Sequence, residues 1–163
     1  MQPISNPMPL FLRDSVTNGN PQEQALIRRW WHEEHGANGR LVWEYPLCGR
    51  WVDAIWFSDA IDDIMEQSGL KLSSRFPLAN SRIVLCEAKH RQVTPELIGQ
   101  ALVYTSFARR AGAIVERTVI FADTAAPDIL AAAVDLGLEV ILTDMSSAAA
   151  PTSPTPHPEF SLP

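Results

Sequence analysis

Two carboxylates and an ammonium group stand out in this chain because the sequence sets each of them among apolar residues. Asp53 lies inside Arg50-Trp51-Val52-Asp53-Ala54-Ile55-Trp56-Phe57, and Glu87 and Lys89 finish the run Ile83-Val84-Leu85-Cys86-Glu87-Ala88-Lys89. Alternate residues of a strand share a face, so Ile83, Leu85, Glu87 and Lys89 point one way and Val84, Cys86 and Ala88 the other. Glu87 and Lys89 are therefore expected to project together from the strand's C-terminal end. Asp53 falls on the face of Trp51, Ile55 and Phe57, where an unpaired carboxylate is costly and needs a partner or a cation. Two carboxylates, a backbone carbonyl and waters make an oxygen-rich site suited to Mg²⁺ or Mn²⁺. Such an ion binds a phosphate oxygen and acidifies a bound water, while a lysine beside it orients or deprotonates that water or steadies the transition state. Phosphodiester hydrolysis is the reaction these groups suit.

The elements that must position them can be read along the chain. Asn20-Pro21-Gln22-Glu23 has an N-cap, a proline at the first helical position and a Glu three residues after the cap, which predicts a helix to about His35 stopped by Gly36. Glu23, Ile27, Trp30 and Glu34 form one stripe of it, with Leu26 and Trp31 alongside. Leu41–Tyr45 and Arg50–Phe57 read as an antiparallel pair around Cys48-Gly49. Between Ser58 and Ser81 the chain is more polar, with a short acidic helix expected over Asp59–Gln67, then Gly69 and a loop with Pro77. Asp62 and Asp63 point about 100° apart on such a helix and read as a solvated face.

After the Ile83–Lys89 strand, Thr94-Pro95-Glu96 caps a helix that runs through Ala108 and ends in Arg109-Arg110, with Leu97, Gln100, Tyr104 and Phe107 on one face. Thr118–Ala122 is a strand, Pro127–Leu136 an Ala-rich helix closed by Gly137, and Glu139–Leu142 a last strand. The expected order is αβββαβαβ in a mixed α/β core. It occupies one domain over residues 20–145, between an irregular arm of residues 1–19 that packs through Leu10, Phe11 and Leu12 and a Pro/Ser/Ala-rich disordered or extended tail of residues 146–163.

Asp53, a gap, then Glu87-x-Lys89 at the end of an apolar strand, within that order, resembles the PD-(D/E)xK nuclease superfamily. The likeness runs from the Glu23 helix to Leu142. It implies a restriction-endonuclease-like αβββαβ core, a mixed sheet flanked by helices, here with an extra C-terminal helix and strand. Many such nucleases carry a Gln, and a Tyr four residues later, in the helix after the Lys strand, and Gln100 and Tyr104 match that pattern. The resemblance further implies that Asp53 and Glu87 ligate Mg²⁺ or Mn²⁺ with the Ala88 carbonyl, that Lys89 handles the nucleophile, and that Gln100 positions water, Lys89 or the DNA backbone. Many members add a Glu on the first helix, for which Glu23 is the candidate, with Glu44 on the first strand the competing choice; the capping box explains Glu23 without catalysis. Val52 stands where the family has a proline before the Asp.

The bulk properties narrow the partners. A composition 46% hydrophobic and 20% charged is that of an ordinary soluble globular protein, and no apolar run is long enough to span a bilayer. With no evident secretory signal and two cysteines lacking metal-ligand spacing, a cytoplasmic location is expected. A net charge of −6 excludes a protein that coats nucleic acid nonspecifically and points to a homodimer or partner protein helping to hold the substrate. Arg28, Arg29, Arg91, Arg109 and Arg110 are candidate phosphate contacts, each also an ordinary solvated residue. The five tryptophans, Trp30, Trp31, Trp43, Trp51 and Trp56, are mostly core by position, and one or two exposed at the rim could stack on bases. The sequence thus points to a metal-dependent nuclease acting on DNA, with a catalytically silent nucleic-acid-binding or assembly module as the alternative.

Overall fold

The computed structural model describes residues 19–61, 66–68 and 77–143. Helix α1 spans Pro21–His35, with the Asn20 side chain accepting the Gln22 N–H and Gly36 closing it in the left-handed region at φ 59. Strands β1 (Arg40–Leu47) and β2 (Arg50–Phe57) follow, joined by Cys48 and Gly49. Both joining residues have positive φ, 51 and 75, the type I′ geometry that matches the twist of a tight hairpin. Next come β3 (Glu66–Ser68), β4 (Arg82–Gln92), α2 (Pro95–Arg110), β5 (Ile114–Thr124), α3 (Pro127–Asp135) and β6 (Glu139–Leu142).

The six strands form one sheet in the order β3-β1-β2-β4-β5-β6. The β1–β2 and β2–β4 pairs are antiparallel, and β1–β3, β4–β5 and β5–β6 are parallel. This is the mixed α/β sheet flanked by helices that the sequence led us to expect, with one correction. Glu66 and Gln67 belong to a short strand, not to a helix over Asp59–Gln67, because β3 pairs alongside Leu41–Trp43 at the sheet edge. A long-range ladder there overrides the local acidic, helix-favouring composition. Asp62, Asp63, Gly69, the arm before Gly19 and the tail from residue 146 lie outside the described residues. Among the described residues no helix is long and apolar enough to cross a membrane.

Alternation along the central strands divides the core in two. Ile27, Trp30 and Trp31 of α1 pack with Trp43, Trp56, Val84, Cys86 and Phe121 on one face. Tyr104 and Ala108 of α2 pack with Val42, Ile55 and Leu85 on the other, and Leu97, Ile98 and Ala101 extend that side to Ile120, Ala122 and Ala133 of α3. The loop from α1 into β1 is clamped to the first face, since the indole N–H groups of Trp31 and Trp56 both donate to the Asn38 carbonyl, at 2.8 and 2.6 Å.

Gly39 makes that clamp feasible: at φ 70, a Cβ would sit 2.3 Å from the Phe57 carbonyl oxygen and 2.8 Å from the Trp56 indole nitrogen. Gly36, also left-handed, has none of the described residues within 4 Å of such a Cβ. Gly39→Ala is therefore expected to destabilise the fold by roughly 2–5 kcal/mol through backbone strain and overpacking together. Gly36→Ala should cost only the left-handed penalty of about 1–2 kcal/mol. Urea unfolding midpoints at constant slope measure both, and equal losses would contradict the close approach at Gly39.

Candidate active site

The strand pairing loses its regular alternation in β1 and β2 at the same level. Leu41, Trp43, Ala54 and Trp56 pack under α1, whereas Tyr45, Leu47 and Val52 belong to the cluster on the α2 face. Between them Glu44 adopts φ 50, and the ladder steps from Trp43↔Ala54 to Tyr45↔Val52, passing over Glu44 and the Asp53 that stands opposite it. A non-glycine residue held in the left-handed region stores about 1–3 kcal/mol of strain and needs the surrounding fold to impose it. The consequence corrects the expectation for Asp53. It does not share the setting of Ile55 and Phe57 but turns, with Trp51, into a cavity of about 320 Å³ that α1 walls with Glu23 and Ile27 and that Glu44 also lines.

The β2–β4 ladder pairs Ala54–Phe57 with Ile83–Cys86 and ends there, one step before Asp53 would face Glu87. The Ala88 N–H, which continued pairing would have given a main-chain acceptor, donates instead to Asp53 Oδ2 at 2.8 Å. Glu87 beside it is 1% exposed. Its Oε2 accepts from Gln100 Nε2 at 3.1 Å, and its Oε1 is buried with no hydrogen-bond partner among the described residues. Gln100 Nε2 also lies 3.4 Å from the hydroxyl of Tyr104, itself buried in the α2-side core.

Lys89 is exposed at the strand's end, its Nζ 3.8 Å from Glu23 Oε1. Glu87 and Lys89 do not simply share a face: Glu87 meets Gln100 of α2, while the Lys89 ammonium reaches Glu23 of α1. The strand ends irregularly, with a register shift between Lys89 and Gln92 and Arg91 at φ 114. Glu23 Oε1 accepts the His90 N–H at 3.2 Å, so Glu23 serves β4, and the helix start is capped by Asn20 Oδ1 on the Gln22 N–H at 3.0 Å. The structure therefore brings Asp53, Glu87, Lys89, Gln100 and Glu23 to one end of the sheet, with Glu44 across the cavity.

Two participants are not singled out by the sequence. Trp51 is 50% exposed, unlike the other four tryptophans, because it precedes the flipped Asp53 near the hairpin and opens on the cavity. His90 Nδ1 lies 2.9 Å from Asp123 Oδ2, and the Thr143 hydroxyl holds the other Asp123 oxygen at 3.3 Å. The signal for that pair is its place in the ladder, one residue beyond Lys89↔Ala122, which no local pattern displays.

Burial governs the electrostatics here. It pushes the Asp53 carboxyl up to about 6; the Ala88 N–H and Lys89 pull it down, and the negative charges of Glu23 and Glu44 add to the rise. Burial also raises Glu87 well above the usual carboxylate range, with the charge of Asp53 next in effect. Among the described residues no three His, Cys, Asp or Glu side chains gather as a ready ligand set.

No protein-family model matches the chain, and no curated protein does. Among solved structures the chain is similar to a repair endonuclease from Pyrococcus abyssi, with a TM-score of 0.51 and 14% identity, over 78% of this chain and 49% of that one. The chain thus spans about half the length of that structure. The likeness shows a shared fold, a mixed sheet flanked by helices.

The raised carboxylates carry a stability signature. Asp53 goes from its ordinary 3.8 to about 6 on folding, so the folded state binds more protons between those values. Its contribution is complete below 3.8 and is lost as pH rises through about 6, and Glu87 acts in the same direction. In chelator, stability is expected to fall as pH rises across this window. Asp53→Asn should gain about 3 kcal/mol over the native chain at high pH and nothing in strong acid, since each tenfold change in proton affinity between the folded and unfolded chain is worth about 1.4 kcal/mol. Denaturant unfolding across pH tests this; a variant less stable than the native chain at high pH would contradict it.

Proposed function

We propose that the chain is a metal-dependent nuclease of the PD-(D/E)xK kind that hydrolyses phosphodiester bonds in DNA. The observation that carries this reading is the junction of β2 and β4, where Asp53 takes the Ala88 N–H beside a fully buried Glu87 with an unpartnered oxygen, on a fold shared with a repair endonuclease. Two carboxylates that burial pushes toward the neutral form, one with an orphaned oxygen, fit a hard divalent cation, which removes the cost of ionising them. Asp53, Glu87 and the Ala88 carbonyl would hold Mg²⁺ or Mn²⁺. Bound there, the ion would polarise the phosphate and acidify a water.

The chain's own residues do the rest. Gln100 donates to Glu87 Oε2, which leaves Oε1 for the ion and fixes the carboxylate plane. Lys89, an ammonium beside Glu23, orients the attacking water; the water's oxygen bonds to phosphorus as its proton leaves to solvent, the P–O ester bond breaks, and the departing oxygen takes up a proton from solvent. Glu23 is the additional acid of the pair Glu23 and Glu44: it accepts the His90 N–H and lies close enough to Lys89 to aim the ammonium. The catalytically silent alternative draws on the same raised carboxyls, which can be held neutral by protons alone; it calls for binding without cutting.

Linear, single-stranded and branched DNA incubated with Mg²⁺ or Mn²⁺ should be cut, and chelation should stop it. Asp53→Ala and Lys89→Ala are expected to lower the rate by at least about 100-fold. Gln100→Ala should cost about 10- to 100-fold, with more metal needed for half-maximal rate. Absence of metal-dependent cutting on every substrate, or equal cutting by the variants, overturns the nuclease reading.

A further inference from the structure

The cavity beside Asp53 is larger than the proposed metal chemistry requires, and its composition is not that of a phosphate site. At about 320 Å³ it lies at the small end of the range of about 300–1,000 Å³ for ligand pockets, room for a single ring system. Its walls include Glu23 and Glu44, which repel a phosphate, so the phosphate belongs outside them, toward Lys89 and the ion that Asp53 would hold. What they accept is N–H. Glu44 lines the cavity from a strained φ of 50, and among the described residues its Oε2, closed to solvent, has no hydrogen-bond partner. Trp51, half exposed, presents an indole to the same space, two residues along the strand from Asp53. A flat ring with N–H donors on its edge suits this lining: the ring stacks on the indole, and the edge donates to a carboxylate of the wall.

We propose that this cavity is a subsite for one unpaired nucleobase flanking the scissile phosphate, stacked on Trp51 and read by Glu44. The proposal rests on the nuclease reading for its placement beside the reacting phosphate. It deepens that reading by naming the substrate class, single-stranded DNA or a single-stranded segment of a larger one. A base held in a duplex must be unpaired and unstacked to enter, which costs least where the strand is already single. The acceptors favour bases that carry an exocyclic amine, adenine, cytosine and guanine, over thymine, whose edge sets a carbonyl on each side of its one N–H.

The test is an anisotropy titration of the full chain in chelator with labelled short oligonucleotides, homopolymers of deoxycytidine, deoxyadenosine and thymidine and a duplex, beside cleavage of the same strands with Mn²⁺. Single strands should bind more tightly than the duplex, and thymidine strands least tightly among them. Trp51→Ala should weaken single-strand binding by about 5- to 150-fold, the value of one base–aromatic stack, and leave duplex binding unchanged. Trp51→Phe should restore most of it, and Glu44→Gln should narrow the difference between cytidine and thymidine strands. Thermal melting of each variant checks that it folds; Trp51 is half exposed, so a melt near that of the native chain is expected. Single-strand binding that is absent, or indifferent to Trp51→Ala in a folded protein, overturns the base subsite, and metal-dependent cutting in that case still leaves the nuclease reading standing. Trp51-dependent binding with no cutting on any strand instead overturns the nuclease reading and leaves the subsite as part of a binding module.

Discussion

The site depends on the hydrogen bond from the Ala88 N–H to Asp53 Oδ2, formed where the β2–β4 ladder ends. A buried amide at the end of a ladder must find an acceptor, because leaving it unpaired costs about 1–3 kcal/mol. Here the acceptor is a side chain, and satisfying the backbone locks a carboxylate in place next to Glu87. The bond only partly offsets the cost of burying Asp53, whose carboxyl still rises to about 6. The fold thus holds two carboxylates where each favours a proton or a cation. Groups held in so unfavourable a state cluster at functional sites, where the displaced titration serves the chemistry.

Two helices from opposite sides of the sheet complete it. From α2, Gln100 fixes Glu87; from α1, Glu23 ties down the end of β4 through His90 N–H and faces Lys89. Their placement is only as good as the packing beneath them. Trp30 of α1 meets Trp56 and Phe121 edge to face, with ring centroids 5.7 and 5.3 Å apart. Such interlocking aromatic contacts leave a helix little freedom to slide, since close-packed cores respond to shifts in discrete steps. The Trp31 and Trp56 indoles on the Asn38 carbonyl pin the same helix at its exit.

Where local sequence and local structure share a cause, the two agree. The α1 boundaries follow from Asn20, Pro21 and Gly36, and the structure starts and ends the helix there. Alternation in Ile83–Ala88 divides its side chains between the two core faces as expected. Where a distant strand decides, they part. The Glu66–Gln67 stretch looks helical by itself, yet β1 supplies it with a parallel ladder. Glu23 has the spacing of a capping box, and its carboxylate accepts the His90 N–H of β4.

By itself the sequence determined which residues carry the candidate chemistry and which strand delivers Glu87 and Lys89, because apolar periodicity and the demands of buried charge are local properties. It also determined the order of most elements, through caps, glycines and prolines. Only the tertiary structure decided how the charges face one another. The slip in alternation at Glu44 and Asp53 turns Asp53 from the α2 side to the α1 cavity and brings Trp51 to its mouth. A break in alternation of that kind is imposed by packing on both strands at once, and a single strand's pattern of residues does not encode it.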